Sequence, residues 1–167
     1  MRPSLFAAAL LLSAFASLGF GASSGRTIRA NGVAVSVPGG WQRVAPADPG
    51  PVTDPVGVIV VGTTGVRARA SRCEIAAYRV QPRGAVVVVV RWQEQASGGS
   101  PAPGRAPLAV LTSLRRRELE CFGGRAASAY LVLRHHGYQV NVMVGDRASA
   151  RVVRQSLAVG RSFRLVP

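Results

Sequence analysis

Five valines stand in a row at positions 86–90, inside AVVVVVRW (85–92). Valine is β-branched and favours strands. Successive strand residues point to opposite faces, so an unbroken valine run leaves neither face polar. Such a strand has to be central and covered on both sides. That demand shapes the expected fold more than any other segment: layers on both faces of a sheet, or a sandwich.

The neighbouring segments supply more strands. Asn31-Gly32 lies between two β-prone runs and is a hairpin signal, because both turn positions want positive φ. Val33, Val35 and Val37 alternate, Pro38-Gly39-Gly40 ends the strand, and Trp41 is expected to pack back on the core. Residues 42–55 read as loop, GVIVVG (57–62) as strand, SRCEIAAYRV (71–80) as strand and Gln81–Gly84 as a turn. QASGGSPAPGRAP (95–107) is full of breakers and reads as a long loop. PLAVLTSLRRRELECF (107–122) suits a helical turn followed by a strand. ASAYLVLR (127–134) and YQVNVMVG (138–145) form the clearest hairpin, with Tyr138, Val140, Val142 and Val144 on one face and Gln139, Asn141 and Met143 on the other. Its turn is expected at His135, His136 and Gly137, with Gly137 supplying the positive φ. DRASARVVRQSLAVG (146–160) predicts a helix capped by Asp146 and stopped by Gly160, with Ala150, Val153 and Leu157 inward and Arg147, Arg151 and Arg154 outward.

The N-terminus carries one charge, Arg2, then an apolar run, Leu5–Phe20, then small residues. This is the order of a secretory signal peptide. The run is short against the roughly 20 apolar residues of a membrane span. Residues 1–21 are therefore read as signal and 22–167 as one exported domain, secreted or held in the cell envelope, with no transmembrane span after cleavage. Cys73 and Cys121 are the only cysteines. In an oxidising compartment an even pair is expected to form a disulfide, with a loop-closure contribution of about 4 kcal/mol.

The formal net charge is +14, and all 21 basic residues are arginine. Such a surface attracts polyanions. Export directs the expectation to an anionic cell-envelope polymer or another exported protein, not physiological nucleic acid. Arg115, Arg116 and Arg117 form the densest run and the candidate polyanion contact. An edge kept charged against unwanted pairing would explain the run equally. Trp41 and Trp92 are candidate pocket residues whose ordinary role is to anchor a core. The only histidines, His135 and His136, are adjacent. On a strand they would point apart, none of the seven acids stands at a recognised ligand spacing from them, and no nucleophile elbow is present. No catalytic, metal or cofactor residues are assigned. The expected function is non-catalytic binding; the competing reading is an exported hydrolase or metal-dependent enzyme built on the histidine pair. A third is a small apolar ligand held between sheet and helix.

VAVSVPGGW (33–41) resembles the strand that opens Mog1/PsbP-like domains, and RASARVVRQSLAVGRSFRL (147–165) resembles their closing helix and strand. The resemblance implies an α+β fold, a mainly antiparallel sheet with helices packed on its faces (an α/β/α sandwich). It also implies an accessory or binding role without a transferable site.

Overall fold

The valine run is β7 (Ala85–Trp92), and it lies inside a six-stranded antiparallel sheet of order β3-β4-β7-β10-β9-β8. The computed structural model describes residues 25–47, 54–71, 73, 75, 77–93, 104–116, 118–119 and 121–167. The other strands of this sheet are β3 (Trp41–Arg43), β4 (Val56–Thr63), β8 (Arg115–Arg116), β9 (Arg125–Leu133) and β10 (His136–Val144). A second sheet has order β1-β2-β11, from Arg26–Ala30, Val33–Val37 and Arg164–Leu165. A two-stranded ribbon pairs β5 (Arg67–Ala68) with β6 (Tyr78–Arg79). The one α-helix among the described residues is α1 (Ala150–Arg161), and a 3-10 helix spans Ala106–Val110.

The valines divide between two cores. Val87 and Val89 join Val33, Val35, Val37, Trp41, Val140, Val142, Leu157 and Phe163 on the helix side. Val86, Val88 and Val90 join Val60, Val66, Tyr78, Ala126 and Met143 on the other side. Both cores are needed because every valine of the run is at most 2% exposed. In β4 the register shifts between Gly57 and Ile59, and both Val58 and Ile59 belong to the helix-side core. A bulge that puts two consecutive side chains on one face does not register in a simple alternation pattern.

The expected α/β/α sandwich is overturned: the fold is β-rich. α1, the 3-10 helix and the β1-β2-β11 sheet serve the helix-side core. The opposite face is covered by the β5–β6 ribbon and by Cys73, Ile75, Leu119 and Phe122 around a disulfide. Of the described residues in segment 71–80, expected to be a strand, Tyr78–Arg79 form one. A ribbon and a crosslink thus take the place of a second helical layer. Residues 42–55 are also not all loop, since β3 runs to Arg43 and pairs with β4.

Two boundaries move for clear reasons. α1 is capped by Ser149, whose side chain accepts from Val152 N–H at 3.3 Å, and Asp146 lies before the helix. Gly145 N–H donates to Gly84 O at 3.0 Å and Arg147 N–H to Pro82 O at 2.8 Å. These bonds hold 145–147 against the β6–β7 turn and delay the helix. Gly160 does not stop the helix but lies inside it. A Cβ there would stand 2.8 Å from Val142 Cγ2 and 3.0 Å from Leu111 Cδ1, so the absent side chain lets α1 approach the sheet. Ala150 is exposed, and the buried residues of α1 are Ser156, Leu157, Val159 and Gly160.

Candidate polyanion interface

The run 115–117 is not one patch. Arg115 and Arg116 form β8 and pair with Ala126 and Arg125, so they lie on opposite faces of the pleat. Arg117 lies outside the described residues. Arginines meet across strands instead. Arg67 of β5 stands directly opposite Arg79 of β6, both exposed, and Arg116 stands directly opposite Arg125. Directly opposite residues have Cβ atoms about 5 Å apart, and like charges there are unfavourable.

Several other guanidinium groups serve as braces. Arg26 donates to Trp41 O at 2.7 Å, Arg105 to Arg161 O at 3.0 Å and Arg125 to Ala148 O at 3.2 Å, while Arg161 donates to Leu111 O. Arg164 reaches Ser36 Oγ at 3.3 Å and Thr27 Oγ1 at 3.2 Å. These arginines tie loops and strand ends together through neutral acceptors and keep their charge. The described acids are Asp54, Glu118 and Asp146 alone. Among the described residues the outward surface is therefore dominated by cations, with α1 adding Arg151 and Arg154.

The histidines lie at a hairpin tip, one position away from where the sequence suggested. The turn residues are Arg134 and His135, with φ of 47° and 67°. Leu133 and His136 close the ladder, so His136 is already strand and Gly137 pairs with Val132 and Trp92. Two left-handed residues between paired strands form the turn geometry favoured in two-residue hairpins. Both histidines are exposed there. Among the described residues no group of three or more His, Cys, Asp or Glu could hold a metal ion.

Cys73 and Cys121 form a disulfide with a sequence separation of 48. Trp41 is buried in the helix-side core, 3% exposed. Trp92 is half-buried, and its Nε1 has no hydrogen-bond partner. Neither tryptophan lines the two described cavities. One, about 260 Å³, lies among Val80, Pro82, Phe122, Gly124, Gly145 and Asp146. The other, about 240 Å³, lies at the outer edge of β9. The loop at 95–103 lies outside the described residues, as do residues 1–24 with the expected signal segment. Among the described residues no helix is long and apolar enough to cross a membrane.

A polar strip crosses the disulfide side of the sheet. Asn141 Oδ1 accepts from Ser128 Oγ at 2.7 Å and from Gln139 Nε2 at 2.8 Å. Gln139 and Asn141 are at most 1% exposed, yet Gln139 Oε1 and Asn141 Nδ2 have no partner. Burial raises the Tyr130 phenol above its usual value, and a hydrogen bond with Gln139 opposes that shift. The strip contains no nucleophile–base pair, since the Ser128 hydroxyl is bound to a carboxamide. Alternation in YQVNVMVG already placed Gln139 and Asn141 on one face; the missing signal was that this face would be buried.

Comparison of the chain with protein-family models, curated proteins and solved structures finds no match.

Proposed function

We propose that the protein is an exported, non-catalytic binding domain that holds an anionic component of the cell envelope on its arginine surface. The observation that carries this reading is the pair of cross-strand arginine juxtapositions, Arg67 with Arg79 and Arg116 with Arg125. Like charges placed directly opposite each other cost stability unless an anion sits between them. A polymer of phosphate or carboxylate groups supplies such anions in a row. Arginine suits the role because its planar fork binds oxyanions in pairs of hydrogen bonds. Export is supported by the apolar N-terminal run and by the Cys73–Cys121 disulfide, a bond that persists in oxidising compartments.

The test is co-sedimentation of the mature protein with purified cell envelope across a salt series. Binding through arginine–anion pairs weakens steeply with salt, and removing one such pair lowers the log–log slope by about 1. The variant Arg67→Gln/Arg79→Gln is expected to bind more weakly and with a shallower slope. Equal binding by the variant and the wild type at every salt concentration would remove the ribbon from the proposal. No sedimentation even at low salt would remove the proposal itself.

A further inference from the structure

The outer edge of β9 is only partly used. A two-residue turn makes Leu133 and His136 the closing hydrogen-bonded pair, and bonded and non-bonded pairs alternate from there. Ser128 and Tyr130, opposite Asn141 and Gln139, therefore turn their backbone N–H and C=O groups away from β10. Two neighbours fix the ends of this edge. β8 takes the position beside Ala126, and Gly104 N–H donates to Val132 O at 3.0 Å. Between them no described residue bonds to the outward groups of Ser128 or Tyr130. The 3-10 helix and then Thr112–Ser113 lead into β8, and a cavity of about 240 Å³ lies beside the edge there. Val110, Thr112, Ser113, Arg115, Glu118 and Ser128 line it.

We infer that this slot binds the C-terminal end of an extended peptide. The main-chain groups of Ser128 and Tyr130, which no other described residue bonds, offer two successive bonded positions of an antiparallel sheet edge, which recognises another peptide main chain. The slot spans about three residues, roughly 10 Å at strand rise. A longer through-running strand does not fit, because β8 blocks one end. A chain that stops there places its terminal carboxylate beside Arg115. Arg115 and Glu118 are the one cation and the one acid in the lining, and chain direction decides between the termini: a strand antiparallel to β9, as β8 and β10 are, brings its C-terminus towards Arg115. Thr112 and Ser113 add hydroxyls that can donate to it. This site does not rest on the polyanion proposal: its main-chain groups are neutral, and Arg67 and Arg79 take no part in it.

The experiment is backbone amide NMR of the mature, disulfide-intact protein titrated with acetyl-valyl-threonyl-valine at millimolar concentration. The free acid is expected to shift the Ser128 and Tyr130 amides. Its C-terminal amide is expected to bind at least tenfold more weakly, and so is a peptide N-methylated at the C-terminal valine, the residue placed opposite Ser128. Arg115→Gln should weaken the free acid to the level of the amide while leaving its N-methyl sensitivity intact. Arg67→Gln/Arg79→Gln should leave the titration unchanged. The inference is overturned if the edge amides do not move, if N-methylation has no effect, or if a tripeptide with a free ammonium and an amidated C-terminus binds better than the acetylated acid.

Discussion

The two faces of the central sheet are built from alternating residues of the same strands and are closed in different ways. The helix side is sealed by packing. Phe163 is fully buried, its ring lies 5.4 Å from that of Tyr138, and Leu157, Trp41 and the β2 valines fill the space around them. The disulfide side is smaller and is closed by a two-stranded ribbon, a covalent tie and partly buried side chains. It also buries Gln139 and Asn141. One face holds itself together by apolar contact. The other depends on a crosslink that limits how far its cover can open.

Mutations can break this contrast from either side. Phe163→Ala should cost the most, about 3–5 kcal/mol, by emptying the centre of the helix-side core. Chemical denaturation measures it, and a loss below about 1 kcal/mol would mean the helix side is not the stability centre. Removing the disulfide by Cys73→Ala/Cys121→Ala should cost about 4 kcal/mol by loop-closure entropy. Hydrogen exchange should then rise at Ala77 and Tyr78 before it rises at Val142 or Leu157; a uniform rise would erase the distinction between the faces. Gly160→Ala should cost about 1–3 kcal/mol through overpacking against Val142 and Leu111, and an unchanged melting curve would show that the helix is free to shift outward.

Smaller effects sharpen the comparison. Asn141→Leu alone should destabilise by about 1–3 kcal/mol, because it strands the hydrogen bonds of Ser128 and Gln139. The triple change Ser128→Ala/Gln139→Met/Asn141→Leu should cost less than the single one. A triple variant that loses more than the single would mean the strip is a net stabilising network. Burial raises the Tyr78 phenol above its usual value, although Ala47 N–H donating to its oxygen at 2.9 Å works against that. Its folded value lies above the unfolded one of about 10. The stability it contributes is complete below pH 10 and is lost as pH rises through the raised folded value. Tyr78→Phe should flatten the alkaline limb of stability against pH; an identical limb would shift the cause to another group.

The sequence revealed the features that depend on near neighbours. The valine run, the Asn31-Gly32 turn, the alternation of β9 and β10 and the cysteine pairing all rest on local pattern or on simple counting. Features set by residues distant in sequence were hidden. Ser149 displaces Asp146 as the cap because the β6–β7 turn grips residues 145–147. Gly160 looks like a helix stop until the sheet beneath it is seen. Arg134 and His135 take left-handed conformations that glycine or asparagine would have advertised. The arginine pairs need strand register to appear, since Arg67 and Arg79 are separated by the whole crosslinked segment. The missing second helical layer has the same origin: Cys73 in SRCEIAAYRV announces a crosslink, but nothing in the segment shows which face that crosslink will cover.

Arg67 and Arg79, directly opposite in the strand register, have one more consequence. A lysine pair or a histidine pair in this position could relieve its repulsion by shedding a proton. Arginine cannot do so at any pH a folded protein survives. The relief for such a pair is a counterion. On the proposed reading, the salt and polymer around the protein therefore set how strongly this surface holds on.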